Sequence, residues 1–164
     1  MNRMRSVGPA AIIAVLSAVL GGAQSGGAAA TAAFSLVGGQ GSANGGINFN
    51  GTVKGALVIT VPVGAQVKLT LVNKGDLPHS MQIIPFTTAL PATAVKQPAF
   101  PGAQTANPEV GIMKGQTAVA QFTAAKPGKY LLICGFPGHA LLGMYASFEV
   151  SPQASTTPSL VITK

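Results

Sequence analysis

Lys129–Val150 reads KYLLICGFPGHALLGMYASFEV. Two short apolar runs, Lys129–Cys134 and Met144–Val150, flank a loop broken by Gly135, Pro137, Gly138 and Gly143. In the second run Met144, Ala146, Phe148 and Val150 share one face, while Tyr145, Ser147 and Glu149 share the other. That period of two belongs to a half-buried strand. In the first run Cys134 aligns with Tyr130 and Leu132, although Leu131 and Ile133 are apolar as well. The stretch is therefore expected to be strand, loop, strand. The same signal recurs upstream. Gln66, Lys68 and Thr70 alternate with Val67, Leu69 and Leu71, and Leu57, Ile59 and Val61 form a preceding strand ended by Pro62 and Gly64. Ser80–Ile84 and Thr117–Phe122 supply two more. Strands this short, separated by turn residues and lacking a helical period, predict an all-β sandwich.

Composition supports this reading. Hydrophobic residues make up 48% of the 164 and charged residues only 8%, while 21 glycines and 12 prolines favour turns over helical bundles. The formal charge of +7 arises from scarce carboxylates, since only Asp76, Glu109 and Glu149 are acidic. The lysines are scattered singly, without the clustered cations and interleaved aromatics of a nucleic-acid interface, so no nucleic-acid partner is expected. Few carboxylates suit a strongly acidic exterior, because a carboxylate whose ionisation stabilises the fold becomes a liability when protonated.

Along the chain, Arg3 and Arg5 precede the apolar run Val7–Leu20 and a stretch of small residues. Residues 1–30 are read as a secretory signal or a membrane anchor, with the remainder exported and outside the cell membrane. Residues 31–46, rich in Gly, Ala and Ser, are read as a flexible linker containing a short strand at Phe34–Val37. The folded domain is expected over 47–151, followed by a Ser/Thr-rich tail or edge strand over 152–164. Pro85–Gly115 carries five prolines and is expected to be an excursion covering one face, with a helical turn near Thr93.

The loop also carries chemistry. Cys134, His139 and Met144 are spaced by fives, and the only other histidine, His79, lies upstream in Leu77-Pro78-His79-Ser80-Met81. Each residue has an ordinary reading: a small buried hydrophobe, a solvated loop histidine, a core methionine, a turn histidine. Together they exhaust the histidines and cysteines of the chain and match the donor set of a blue copper site, a His₂Cys plane with a long axial Met. Strand parity agrees, because Met144 falls on the apolar face and His79 aligns with Met81 and Ile83, opposite Ser80 and Gln82. Structural zinc prefers Cys₄ to Cys₂His₂ combinations. A binuclear centre would need a second cysteine. One mononuclear type 1 copper is the expected cofactor.

Asn48-Phe49-Asn50-Gly51-Thr52, Val61-Pro62-Val63-Gly64-Ala65, Leu77-Pro78-His79-Ser80 and the Cys134–Met144 loop together resemble the sulfocyanin family. Tyr145 departs from it, standing where a tryptophan-type aromatic is typical. The resemblance covers about Ile47–Val150 and the N-terminal segment. It implies a cupredoxin-like Greek-key sandwich, copper held by His79, Cys134, His139 and Met144, and a membrane-associated electron carrier in the respiratory chain of an acidophile. The partner it implies is a redox protein such as a terminal oxidase complex. A monomer without enzymatic activity is expected.

Apolar surroundings (Phe136, Pro137, Leu141, Leu142 and Met81) with few donors to the thiolate are expected to favour Cu(I) and a comparatively high reduction potential. Either Asn73 or Ser80 is expected to lock the ligand loops by hydrogen bonding. The ring edge of His139 is expected to reach the surface through the apolar patch and serve as the electron port. Three other readings fit part of the pattern: extracytoplasmic copper delivery or storage, a metal-free β-sandwich surface module, and a copper enzyme such as a nitrite reductase. Single-domain length and the lack of ligands for a second metal weigh against the last. Acid titration of the purified domain should leave it folded from pH 5 to pH 3, as followed by circular dichroism; unfolding in that interval would contradict the acid-adapted reading.

Overall fold

A computed structural model describes residues 29–163. It contains β1 (Thr31–Gly38), β2 (Gly55–Pro62), β3 (Gln66–Asn73), β4 (Gln82–Pro85), β5 (Thr117–Thr123), β6 (Gly128–Ile133), β7 (Tyr145–Ser151) and β8 (Ser159–Ile162), with one short 3₁₀ turn at Ala43–Gly46. A three-stranded sheet has the order β1-β3-β5 and a five-stranded sheet the order β4-β6-β7-β2-β8. β1 runs parallel to β3 and β2 parallel to β7, and the other pairs are antiparallel. The all-β sandwich read from the sequence is the observed architecture. The proposed signal or anchor lies outside the described residues apart from its last two positions. Among the described residues no helix is long and apolar enough to cross a membrane.

The inner faces meet in one core. In β3 and β7 burial alternates residue by residue, as the sequence pattern requires. Leu36, Leu69, Leu71 and Phe122 from the smaller sheet pack with Ile59, Ile83, Leu132 and Phe148 from the larger. Phe100, from the Pro-rich excursion, stacks on Phe122 with ring centroids 5.5 Å apart and meets Tyr130 at 4.8 Å. The excursion thus contributes to the main core.

It also builds a second core. Ile84, Leu131, Ile133 and Ala140 form a separate buried cluster, with Leu90 and Val95 of the excursion packed against it. The covering role expected of Pro85–Gly115 is therefore observed. It overturns one parity assignment: Ser80 and Gln82, assigned to the outer side of their strand, are fully buried. Gln82 Nε2 donates to the carbonyls of Val95 (2.8 Å) and Gln104 (Oε1, 2.7 Å), and its Oε1 accepts from Val95 N. A face covered by irregular chain needs such polar groups to satisfy that chain's backbone. The helical turn near Thr93 is absent, and this part of the excursion runs through bends.

The folded domain begins earlier than the linker reading of 31–46 places it. Thr31–Gly38 pairs along its whole length with β3, from Thr31 opposite Gln66 to Gly38 opposite Asn73. Ala32 and Leu36 are buried. Small side chains blur the alternation, and the strand is held by main-chain bonds that composition does not reveal. The alternative of an edge strand after residue 152 is met by β8, which pairs with β2. Because Leu36 is fully buried in β1, Leu36→Ala should destabilise the domain by about 2–5 kcal/mol, as truncation of core leucines does. Chemical denaturation measures this directly, and an unchanged midpoint would restore the flexible linker.

Candidate metal centre

The end of β6 and the start of β7 are fixed by antiparallel pairing that terminates at Ile133 opposite Tyr145. One step further, Cys134 N donates to the Met144 carbonyl at 3.1 Å, so the thiol and the thioether residues leave adjacent strands side by side. The intervening loop folds into tight turns. His139 N donates to Phe136 O (3.2 Å), Met144 N to His139 O (2.9 Å) and Gly143 N to Ala140 O (2.9 Å). These bonds turn the His139 side chain back toward the sulfur, and its Nδ1 lies 3.5 Å from Cys134 Sγ. His79 arrives from the other direction, held by a two-way backbone bridge with Ile112 (3.1 and 2.8 Å).

The structure thus brings together three of the four residues singled out in the sequence, the two histidines and the cysteine, in one cluster. One ligand atom from each of His79, Cys134 and His139 lies within 4.8 Å of the others. Met144 is fully buried at the same end of the sandwich. His79, Cys134 and Met144 are 0% exposed and His139 4%. His139 therefore reaches the surface less than expected: Phe136 covers one side of its ring, with centroids 4.8 Å apart. Leu141 and Leu142, each 56% exposed, remain uncovered by the excursion.

Both ring nitrogens of His79 are buried without a hydrogen-bond partner. Buried polar atoms are nearly always paired, and an orphan calls for an ion, a water or a chemical role. The surrounding charges agree. Burial, reinforced by the nearby His139, lowers the His79 pKa from 6.5 to about 4. The Gly46 backbone pulls the other way, more weakly. Burial likewise lowers His139. Burial raises the Cys134 thiol, opposed by N–H groups of Ser80 and Phe136 and by the Ser80 hydroxyl. The metal-free site therefore holds two neutral imidazoles and a thiol, and metal binding would release the thiol proton. Two imidazoles, one soft sulfur and a buried thioether fit copper better than a hard cation.

Both residues named as possible locks act. Asn73 Nδ2 donates to Leu77 O and Ile112 O, both at 2.7 Å, and its Oδ1 accepts from Gly75 N at 2.8 Å, tying the His79 loop to the end of the excursion. Ser80 N points at Cys134 Sγ (3.4 Å), while Ser80 Oγ donates to Pro108 O (2.6 Å) and accepts from Gly135 N (2.9 Å). The thiolate thus has more amide donors than the sequence suggested. Sequence reading missed a third anchor. Thr93 Oγ1 and Ala94 N donate to Gly135 O (3.0 and 2.9 Å), and Gly138 N donates to Ala92 O (2.7 Å), so the excursion pins the ligand loop. No periodicity in Pro91–Ala94 signals these bonds.

The chain matches the family model described as the sulfocyanin (SoxE) domain over residues 27–162. It is 36% identical over 121 residues to a sulfocyanin of Sulfolobus acidocaldarius, the match covering 70% of this chain and spanning 60% of that relative's length. Among solved structures it resembles auracyanin A, a blue copper protein of Chloroflexus aurantiacus (TM-score 0.52, 21% identity, 74% of this chain and 99% of that one). It also resembles a copper nitrite reductase of Nitrosomonas europaea (TM-score 0.54, 26% identity, 79% and 45%).

The lowered His79 pKa gives the metal-free protein a signed pH dependence. The unfolded ring takes its proton near 6.5 and the folded ring only near 4, so the contribution is complete above pH 6.5 and is lost as pH falls toward 4. At about 1.4 kcal/mol per unit the loss is about 3 kcal/mol. Denaturant titrations of metal-free protein at pH 7 and pH 4 should show it, and copper loading should reduce it; equal stability at the two pH values would refute it.

Proposed function

The chain belongs to the sulfocyanin family, and from that membership we propose that it is a type 1 copper protein carrying single electrons outside the cytoplasm. The observation that carries the reading is the enclosed cluster of His79, Cys134 and His139, with its unpartnered imidazole nitrogens. His79, Cys134 and His139 would hold the metal, with Met144 supplying the thioether donor. When bound, copper supplies a one-electron couple that the polypeptide lacks.

What the chain contributes is constraint. Main-chain bonds at the Cys134–Met144 closure and the His79–Ile112 bridge fix the donors independently of the metal, and a fixed donor set needs little rearrangement when charge changes. Burial and the apolar neighbours Met81 and Phe136 disfavour the higher charge at the site. The amide donors of Ser80 and Phe136 withdraw charge from the sulfur and also favour the reduced state, so the expectation that a scarcity of donors would raise the potential is reversed. A comparatively high reduction potential follows.

His139 is the most exposed of the four, and Leu141 and Leu142 beside it form the apolar surface at which a redox partner docks. The family and the basic, apolar N-terminus support a place on the outer face of the membrane, exchanging electrons with a protein such as a terminal oxidase complex. A carrier rather than an enzyme fits best. The two histidines and the single cysteine of the chain are all committed to this cluster, leaving none for a second metal. Burial of the donors argues against a delivery protein, which needs exposed, exchangeable coordination.

Adding Cu(II) to the purified protein should produce a stable, intense blue absorption that Cys134→Ser abolishes. Leu141→Lys should preserve the colour while slowing electron exchange with a redox protein. Colourless copper removed by a mild chelator would replace the carrier reading with delivery.

A further inference from the structure

Three glycines, Gly38, Gly39 and Gly75, bring backbone close to the ring of His79. A Cβ on Gly38 would lie 3.0 Å from Cβ, Cγ and Cδ2 of His79. One on Gly39 would lie 3.0 Å from Nε2 and 2.5 Å from the Gly75 Cα. One on Gly75 would lie 3.0 Å from the Gly39 Cα and 3.3 Å from Nε2. Gly39 and Gly75 therefore stack backbone against backbone over one edge of the imidazole, at a separation that leaves no room for a Cβ on Gly39 and only a tight fit for one on Gly75.

Both are fixed from behind by fully buried asparagines. Gly39 N donates to Asn48 O at 3.1 Å and Gly75 N to Asn73 Oδ1 at 2.8 Å. The pairing of β1 with β3 continues into them through Lys74 N donating to Gly38 O at 2.9 Å. The glycines cover the Cδ2–Nε2 edge of the ring, so the Nδ1 edge is the one left to face Cys134. Independently of this packing, neither nitrogen has a hydrogen-bond partner to fix the ring.

We propose that Gly39 and Gly75 are positioning residues, two backbone jaws that close on the Cδ2–Nε2 edge of His79, exclude water from it and hold the ring in the single pose that presents Nδ1 to the metal. The purpose of the clamp rests on the copper reading, but its existence is testable without copper. The close approach is why these positions are glycine: at Gly75, whose φ is ordinary, contact and not backbone strain is the constraint.

Gly41 supplies the control. Its φ of +63 is close to the +67 of Gly39, but a Cβ there would meet nothing within 4 Å. Metal-free parent, Gly39→Ala, Gly75→Ala and Gly41→Ala proteins would be treated with diethyl pyrocarbonate, and modification of His79 followed by peptide mass mapping with His139 as internal reference. His79 should react roughly tenfold faster in Gly39→Ala, because reaction of a buried group follows its open population. Gly75→Ala should fall between that variant and the parent, and Gly41→Ala should match the parent. If Gly39→Ala fails to fold, Gly75→Ala decides alone. Parent-like protection in Gly75→Ala, or equal acceleration in Gly41→Ala, overturns the clamp. In the copper-loaded protein Gly75→Ala should shift the visible spectrum, which a merely structural role would leave unmoved, and an unshifted spectrum likewise overturns it. A colourless parent with a protected His79 would sink the copper reading and leave the clamp standing.

Discussion

Two imidazoles and a thiol lie within 4.8 Å of one another at one end of the sandwich, out of contact with bulk water. Such a grouping is unfavourable by itself. Burying a polar nitrogen without a partner costs about 1–3 kcal/mol, and His79 does so with two. The rest of the fold must hold these groups in place against that cost, and the architecture reads as the means of doing so. The β6–β7 ladder closes at Cys134 and Met144, the Ile112 bridge grips His79, and Asn73 and Ser80 tie the loops together. None of these bonds needs the metal, so the donors are arranged before it binds.

The same grouping decides how the protein meets acid. Three carboxylates offer little to protonate, and Asp76, held low by Lys114, is fully exposed in the only salt bridge among the described residues. Exposed pairs of this kind contribute little to stability. The acid liability therefore passes to the histidines, whose folded forms favour the neutral ring. A metal bound to those nitrogens competes directly with the proton. Scarce carboxylates and a bound metal would act at different sites, and acid resistance of the loaded protein would draw on both.

The Pro-rich excursion does more than cover a face. It supplies Phe100 to the main core, packs Leu90 and Val95 on the second cluster, and bonds the Cys134–His139 loop through Ala92, Thr93 and Ala94. Proline suits this role because it restricts the unfolded chain and gives up a donor that an irregular segment would otherwise have to satisfy. Leaving Leu141 and Leu142 uncovered, it shapes the surface proposed for docking.

The sequence alone determined the strand periodicity and the ligand set. Alternation in Gln66–Leu71 and Met144–Val150 has a fixed physical cause, since one face meets a core and the other meets water. His79, Cys134, His139 and Met144 were legible because soft-metal donors are few in this chain and concentrated in two motifs. Only the tertiary structure decided what lies on the second face of β4 and β6, where parity misassigned Ser80 and Gln82. A strand covered on both sides loses the contrast that alternation records. It alone showed β1, whose small residues give little periodic signal and whose stability comes from main-chain bonds to β3. It alone brought Gly39 and Gly75 together over His79, because a glycine required by contact looks in sequence like a glycine required by a turn, and only the chain crossing it in space tells them apart.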